Sequence, residues 1–241
     1  MQTGYPIDKS QPLPVPPVVR SIHRSIVEQL KELINNDFSS CTDPAFQCQW
    51  EKITGLIGQC HEETINASPL RKACTKGCSI CCRHWVDEVC SFEAAIIADF
   101  LESRFKDKLP SIVERCREDI EIFERLEVLV AQKLSVDAES ENIDAQDLLL
   151  SIFYRMDRPC PLLENGVCIA YQVRPLTCRG YVSFSNARFC RPEHGNDAEA
   201  ATYLFGLDDK SQELVNKLHE RYKKFEGDYG LRSLLPKYLD Q

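Results

Sequence analysis

The chain has 241 residues, 43% apolar and 27% charged, with 10 glycines and 13 prolines. That composition argues against collagen-like, low-complexity and wholly disordered classes and leaves room for one large domain or two small ones. A net charge of −8 opposes nonspecific attraction to nucleic acid or anionic membrane, so no nucleic-acid partner is expected. No apolar run approaches a membrane span, and the opening residues lack the basic region and apolar stretch of a secretory signal; the expectation is a cytoplasmic protein with no membrane contact.

Residues 1–18 carry Pro6, Pro12, Pro14, Pro16 and Pro17, which suits a flexible, proline-rich arm ahead of a single α-rich domain over residues 19–241. Ile22, Ile26, Leu30 and Leu33 recur at helical spacing, and Asn35-Asn36-Asp37 supplies a stop. Phe46, Trp50, Ile53, Ile57 and Cys60 align one face of a second helix. Phe92 to Phe105 reads as a third helix ending before Pro110, where a long fourth begins, with Val113, Cys116, Ile120, Phe123, Leu126, Val130 and Leu134 on one stripe. The middle is expected to be an antiparallel helical pair, with Ala145 to Met156 a further helix. Around Asn165-Gly166 the flanking apolar residues favour a tight hairpin-like turn. The segment from Asp197 to Glu226 reads as helical, with Ala201, Leu204, Phe205, Leu207, Leu214, Leu218 and Tyr222 at compatible positions. The fold class expected is mostly α, a helical domain with an irregular cysteine-rich layer and little β structure.

Thirteen cysteines are the unusual feature. An odd number cannot pair completely, and in a reducing compartment a cysteine cluster reads as metal-binding or catalytic rather than as a disulfide framework. Two groups stand out: Cys74, Cys78, Cys81 and Cys82, then Cys160, Cys168, Cys178 and Cys190 in a turn-rich stretch. Close-spaced thiolates can converge on one ion, and soft sulfur suits zinc, copper(I) or iron–sulfur centres. Adjacent side chains usually diverge, so Cys81 and Cys82 suggest two centres, or a multinuclear one, drawing on both groups.

The strings CTKGCSICCRHWVDEV and RPCPLLENGVCIAYQVRPLTCRGY, with a later Cys190, carry CC, CP, CxxY, RP and CR landmarks. In these the chain resembles the zinc- or iron-chelating cysteine-cluster family, the CxxCxxCC or YkgJ type, over roughly Cys74 to Cys190. Three residues separate Cys74 from Cys78 here where the family has two, and Cys90 sits near the family's Ser or Thr. The resemblance implies metal chelation by Cys74, Cys78, Cys81, Cys82, Cys160, Cys168, Cys178 and Cys190. The cofactor expected is zinc or iron, an iron–sulfur cluster included, and the partner expected is a metal ion.

Arg83, Arg174, Arg179 and Arg191 lie near these cysteines and could offset thiolate charge, with solvated surface arginine as the competing reading. Tyr171 and Pro175 are expected to fix the loop, Tyr171 by packing with its hydroxyl hydrogen-bonded. His84 and His194 read as outer imidazoles rather than ligands. His23, His61 and His219 look like helix-face residues, Cys60 and Cys116 like core, and Cys41, Cys48 and Cys90 like ordinary buried thiols. Two alternative functions stand beside metal binding. One is an iron–sulfur or thiol redox protein. The other is an S-adenosylmethionine-dependent enzyme, because the family resembles part of the flagellin lysine methylases and Cys74, Cys78 and Cys81 repeat a CxxxCxxC spacing. Long helices and few glycines speak against the barrel such an enzyme uses. No GxGxxG, P-loop, GxSxG or HExxH string occurs, so no catalytic residue is assigned.

Overall fold

A computed structural model describes residues 13, 15–75, 77–136, 144–194, 201–225 and 230–240. The first helix, α1 (Pro17–Asn35), buries Val19, Ile22, Ile26, Leu30 and Leu33 along one stripe, as the spacing predicts. Pro17 at its first turn removes a donor that would be unpaired anyway, so the helix starts inside the expected arm. The rest of that arm, other than residues 13, 15 and 16, lies outside the described residues. In α2 (Pro44–Ala67) the Asp43 side chain caps the start by accepting from Ala45 N at 2.8 Å. Its apolar face packs on α1, and α7 (Asp209–Tyr222) and one side of α3 (Ser91–Arg104) close the same core. Phe46 holds this core together with edge-on contacts to Phe38, Phe92 and Tyr222.

Nearly every side of α3 is buried, the mark of a central helix. Its far side meets α8 (Leu231–Leu239), which also packs along α4 (Leu109–Val136), so Ile97, Leu101, Ile112, Cys116, Leu231, Leu234 and Leu235 form a second core. The middle pairing therefore differs from the expectation. Rather than a simple α3–α4 pair, α8 joins the two, and α4 continues along α5 (Ala145–Arg155), where Trp85, Phe123, Leu149 and Phe153 make a third cluster. The sequence reading has no α8, because Pro236 inside a short apolar run looks like a breaker.

Strand structure is confined to two small antiparallel pairs among the described residues. β1 (Leu163–Glu164) and β2 (Val167–Cys168) flank Asn165 and Gly166, whose φ values of 48° and 78° give the turn that Asn-Gly favours. The second pair joins β3 (Tyr181–Ser183) to β4 (Thr202–Leu204). This corrects the helical reading of the segment from Asp197: residues 202–204 are strand, and α7 begins only after Asp208, whose side chain caps Lys210 N and Ser211 N. Thr202 and Tyr203 suit a pleated edge, and their ladder partner lies outside any local window. Positions 197–200 and 226 lie outside the described residues. The fold is thus mostly α, with eight α-helices among the described residues and an irregular cysteine-bearing layer; none of these helices is long and apolar enough to cross a membrane.

Candidate metal centre

The first cysteine segment is tied to β3: Ala73 N donates to Ser183 O at 2.8 Å, and Ser183 N donates to Cys74 Sγ at 3.4 Å. Cys78 follows Gly77, whose φ of 88° suits only glycine, and its N–H closes a turn on Thr75 O. A 3₁₀ turn, Ile80–Arg83, then carries Cys81 and Cys82. Arg83 steadies that turn from outside by donating to Ser79 O at 2.9 Å and pairing with Asp157 at 2.5 Å.

The second segment meets the first at its backbone, where Cys160 N donates to Cys82 O at 2.7 Å. Ile169 N donates to Leu162 O at 2.9 Å, closing the hairpin that presents Cys168. Cys178 rides on the short helix α6 (Leu176–Gly180), held from both sides: Glu93 accepts from Leu176 N at 2.9 Å, and Thr177 Oγ1 donates to Glu88 O at 2.7 Å. Cys190 ends a 3₁₀ turn, Ala187–Cys190, and the Tyr154 hydroxyl donates to its carbonyl.

Electrostatics sort these thiols. Burial, then Cys160, Cys82 and Cys168, push the Cys178 thiol up. Burial and the neighbouring Cys160 likewise push Cys168 up to about 12. Cys81 feels Cys82, then Cys178 and Cys74, and Tyr181 feels Cys190, Cys81 and Cys74. Cys81 and Cys82 share a hydrogen bond that holds the proton on Cys81 and brings Cys82 down to about 7, with Arg83, Arg174 and Arg232 adding positive potential. Among the described residues, however, no group of three or more His, Cys, Asp or Glu side chains is arranged to hold a metal ion. The fold joins the two cysteine segments at their backbone without setting any three described sulfurs as a coordination sphere.

The surrounding groups are more constrained than the sequence suggests. His84 stacks on Tyr154 at 3.8 Å, and its Nε2 lies 3.4 Å from Tyr181 OH; burial and Arg232 hold its pKa down at about 4. His194 packs edge-on against Phe189. Tyr171 does not pack into the interior as expected; it is exposed and lies beneath the Arg174 guanidinium, 3.9 Å from ring centroid to Cζ. Arg174 leaves a buried Nε without a hydrogen-bond partner, while Arg179 donates to Arg174 O at 3.0 Å. Arg83, Arg155 and Arg191 line a cavity of about 690 Å³ with Ser79, Ile80, Asp157, Pro192 and Glu193, so one opening is shared by the two cysteine segments. Cys60 and Cys116 are core as expected, Cys41 is buried and Cys90 half-buried; Cys48 is exposed, which corrects its reading as a buried thiol.

Four residues that matter here escape the sequence reading: Glu93, Asp119, Arg158 and Arg232. Glu93 is buried, accepts from Cys90 N and Leu176 N, and has its pKa pushed up to about 7 by loss of water. Its signal was available, since Glu three residues past Cys90 repeats the capping-box spacing with Cys in place of Ser or Thr. Arg232 is wholly buried and bonds Asp119 at 2.7 Å and His84 O at 2.7 Å, while Arg158 pairs with the other oxygen of Asp119. Comparison with protein-family models, curated proteins and solved structures finds no match to the chain.

Proposed function

We propose that this protein binds zinc or iron through its clustered cysteines. The observation that carries the reading is the junction of two segments remote in sequence, Cys160 N on Cys82 O, which ties the two cysteine-bearing segments together in a mostly helical fold. The chemistry of the donor set fits a soft or borderline metal ion. Cys74, Cys78, Cys81, Cys82, Cys160, Cys168, Cys178 and Cys190 would supply the donors. Because no three donors among the described residues are set in advance, binding would be coupled to closure of the cysteine segments and to loss of the thiol protons. Arg83, Arg174 and Arg232 support the reading by favouring thiolate at Cys82. What the metal supplies when bound is charge and a fixed crosslink between the segments.

The test is anaerobic purification followed by elemental analysis and a visible spectrum. Stoichiometric zinc without colour, or iron with sulfide and a brown chromophore, would support metal binding and choose the metal. A purified, folded chain that holds no metal and takes up neither zinc nor ferrous iron would overturn it.

A further inference from the structure

Away from the cysteine layer, three helices bring a thiol, an imidazole and a carboxylate into line. Cys60 on α2 has its Sγ 3.0 Å from Nε2 of His23 on α1. The other ring nitrogen, His23 Nδ1, lies 3.7 Å from Oδ2 of Asp208 at the start of α7. Asp208 is fixed independently of the histidine: Oδ1 accepts from Lys210 N and Ser211 N, and Oδ2 accepts from the Ser211 hydroxyl at 2.8 Å. A nucleophile within hydrogen-bond reach of a base, and a base faced by a third group, is the arrangement that activates a weak nucleophile, and such contacts are often loose before a reactant arrives. Two of the three residues read from sequence as bland helix positions; the contact forms only because α1, α2 and α7 pack around one core.

Access decides the reactant. Cys60 is 6% exposed, whereas the His23 side chain is 33% exposed, so the imidazole edge meets solvent and the sulfur lies beneath it. A sulfur so covered favours a small reactant over a bulky acyl or peptide one. A peroxide is small enough, and it needs both a nucleophilic sulfur and a proton for its leaving oxygen.

We propose that Cys60 is a peroxide-reactive thiol served by His23 as proton carrier, with Asp208 positioning the imidazole. The thiol proton moves to His23 Nε2, and the sulfur pair attacks the terminal, hydroxyl-bearing oxygen of ROOH. An S–O bond forms, the O–O bond breaks, and the departing RO⁻ takes the proton back from His23. The sum is Cys–SH + ROOH → Cys–SOH + ROH, in which sulfur loses two electrons and the peroxide gains them. In the resting protein burial and Asp208 keep the thiol protonated, near a pKa of about 11, so proton removal by the adjacent imidazole is the enabling step.

Two other buried thiols serve as internal controls. Cys41 is equally buried and pushed up to a similar value, and Cys116 is enclosed in an apolar core. The full-length protein is treated with hydrogen peroxide in the presence of dimedone, and adducts at the three sites are timed by peptide mass spectrometry. The expected result is labelling of Cys60 at least roughly tenfold faster than Cys41 and Cys116, with His23→Gln bringing Cys60 down to the Cys41 rate and Asp208→Asn lowering it partway. Equal rates at the three wild-type thiols, or an unchanged Cys60 rate in a folded His23→Gln protein, would overturn the proposal. If His23→Gln unfolds the chain, Cys116 labelling rises, and the wild-type ratio of Cys60 to Cys41 then decides alone.

Discussion

Arg232 on α8 donates Nε to Oδ2 of Asp119 on α4 at 2.7 Å, with the arginine wholly buried and the aspartate nearly so. The same guanidinium reaches His84 O, two residues from Cys82, so one ion pair joins two helices to the cysteine loop. Removing one partner of a buried pair strands the other charge, at a cost of about 3–5 kcal/mol. Asp119→Ala is therefore expected to lower the unfolding free energy by about that much, measured by urea denaturation. A change within experimental error would show that the arginine had found another anion or water.

The thiols separate into those proposed to take metal and those that pack. Cys82→Ser and Cys168→Ser are expected to reduce metal content, measured by elemental analysis of the purified protein. Cys116→Ser is expected to leave metal content unchanged and to lower stability by about 1–3 kcal/mol, because it places a hydroxyl in an apolar core. Equal metal loss in all three would remove the distinction.

Metal removal has a regional signature. Stripping the protein with a chelator is expected to increase amide hydrogen exchange over residues 74–90 and 158–192, while the α1–α2 core stays protected. Uniform protection before and after stripping would place the metal, if any, elsewhere.

Glu93 makes stability fall as pH rises. Its folded pKa, about 7, exceeds the ordinary value of 4.5, so between those values the unfolded chain releases a proton that the native state keeps, and the unfolding free energy declines. Comparing wild type with Glu93→Gln from pH 4.5 to pH 7 should show a less negative slope in the variant. Glutamine also loses one of the two backbone acceptors, at about 1 kcal/mol, which shifts its curve downward. Parallel curves would mean that Glu93 ionises in the folded protein as it does in the unfolded one.

Much of this fold was legible because it is local. α1 and α2 follow from stripes that bury Ile26, Leu30, Phe46 and Ile53, and Asn165-Gly166 announces its own turn. What was not legible depends on partners far along the chain. β4 needs β3 to be a strand, and α8 becomes a helix despite Pro236 because its other residues fill the gap between α3 and α4. At the site, cysteine spacing marked the two segments but not their junction at Cys82 and Cys160. Tertiary structure also put His23 beside Cys60, a contact to which no spacing rule applies.

Gly180, at the junction of α6 and β3, receives Phe205 N on its carbonyl at 2.9 Å, and a β-carbon there would collide with the Phe205 carbonyl oxygen. Even alanine must therefore push the β4 side of that ladder away, and only one residue, Arg179, separates this point from Cys178. Gly180 is consequently a spacer that sets how far the chain carrying Cys178 can sit from the strand beyond it. A single methyl group added there would retune the thiol layer by widening the frame on which it is mounted.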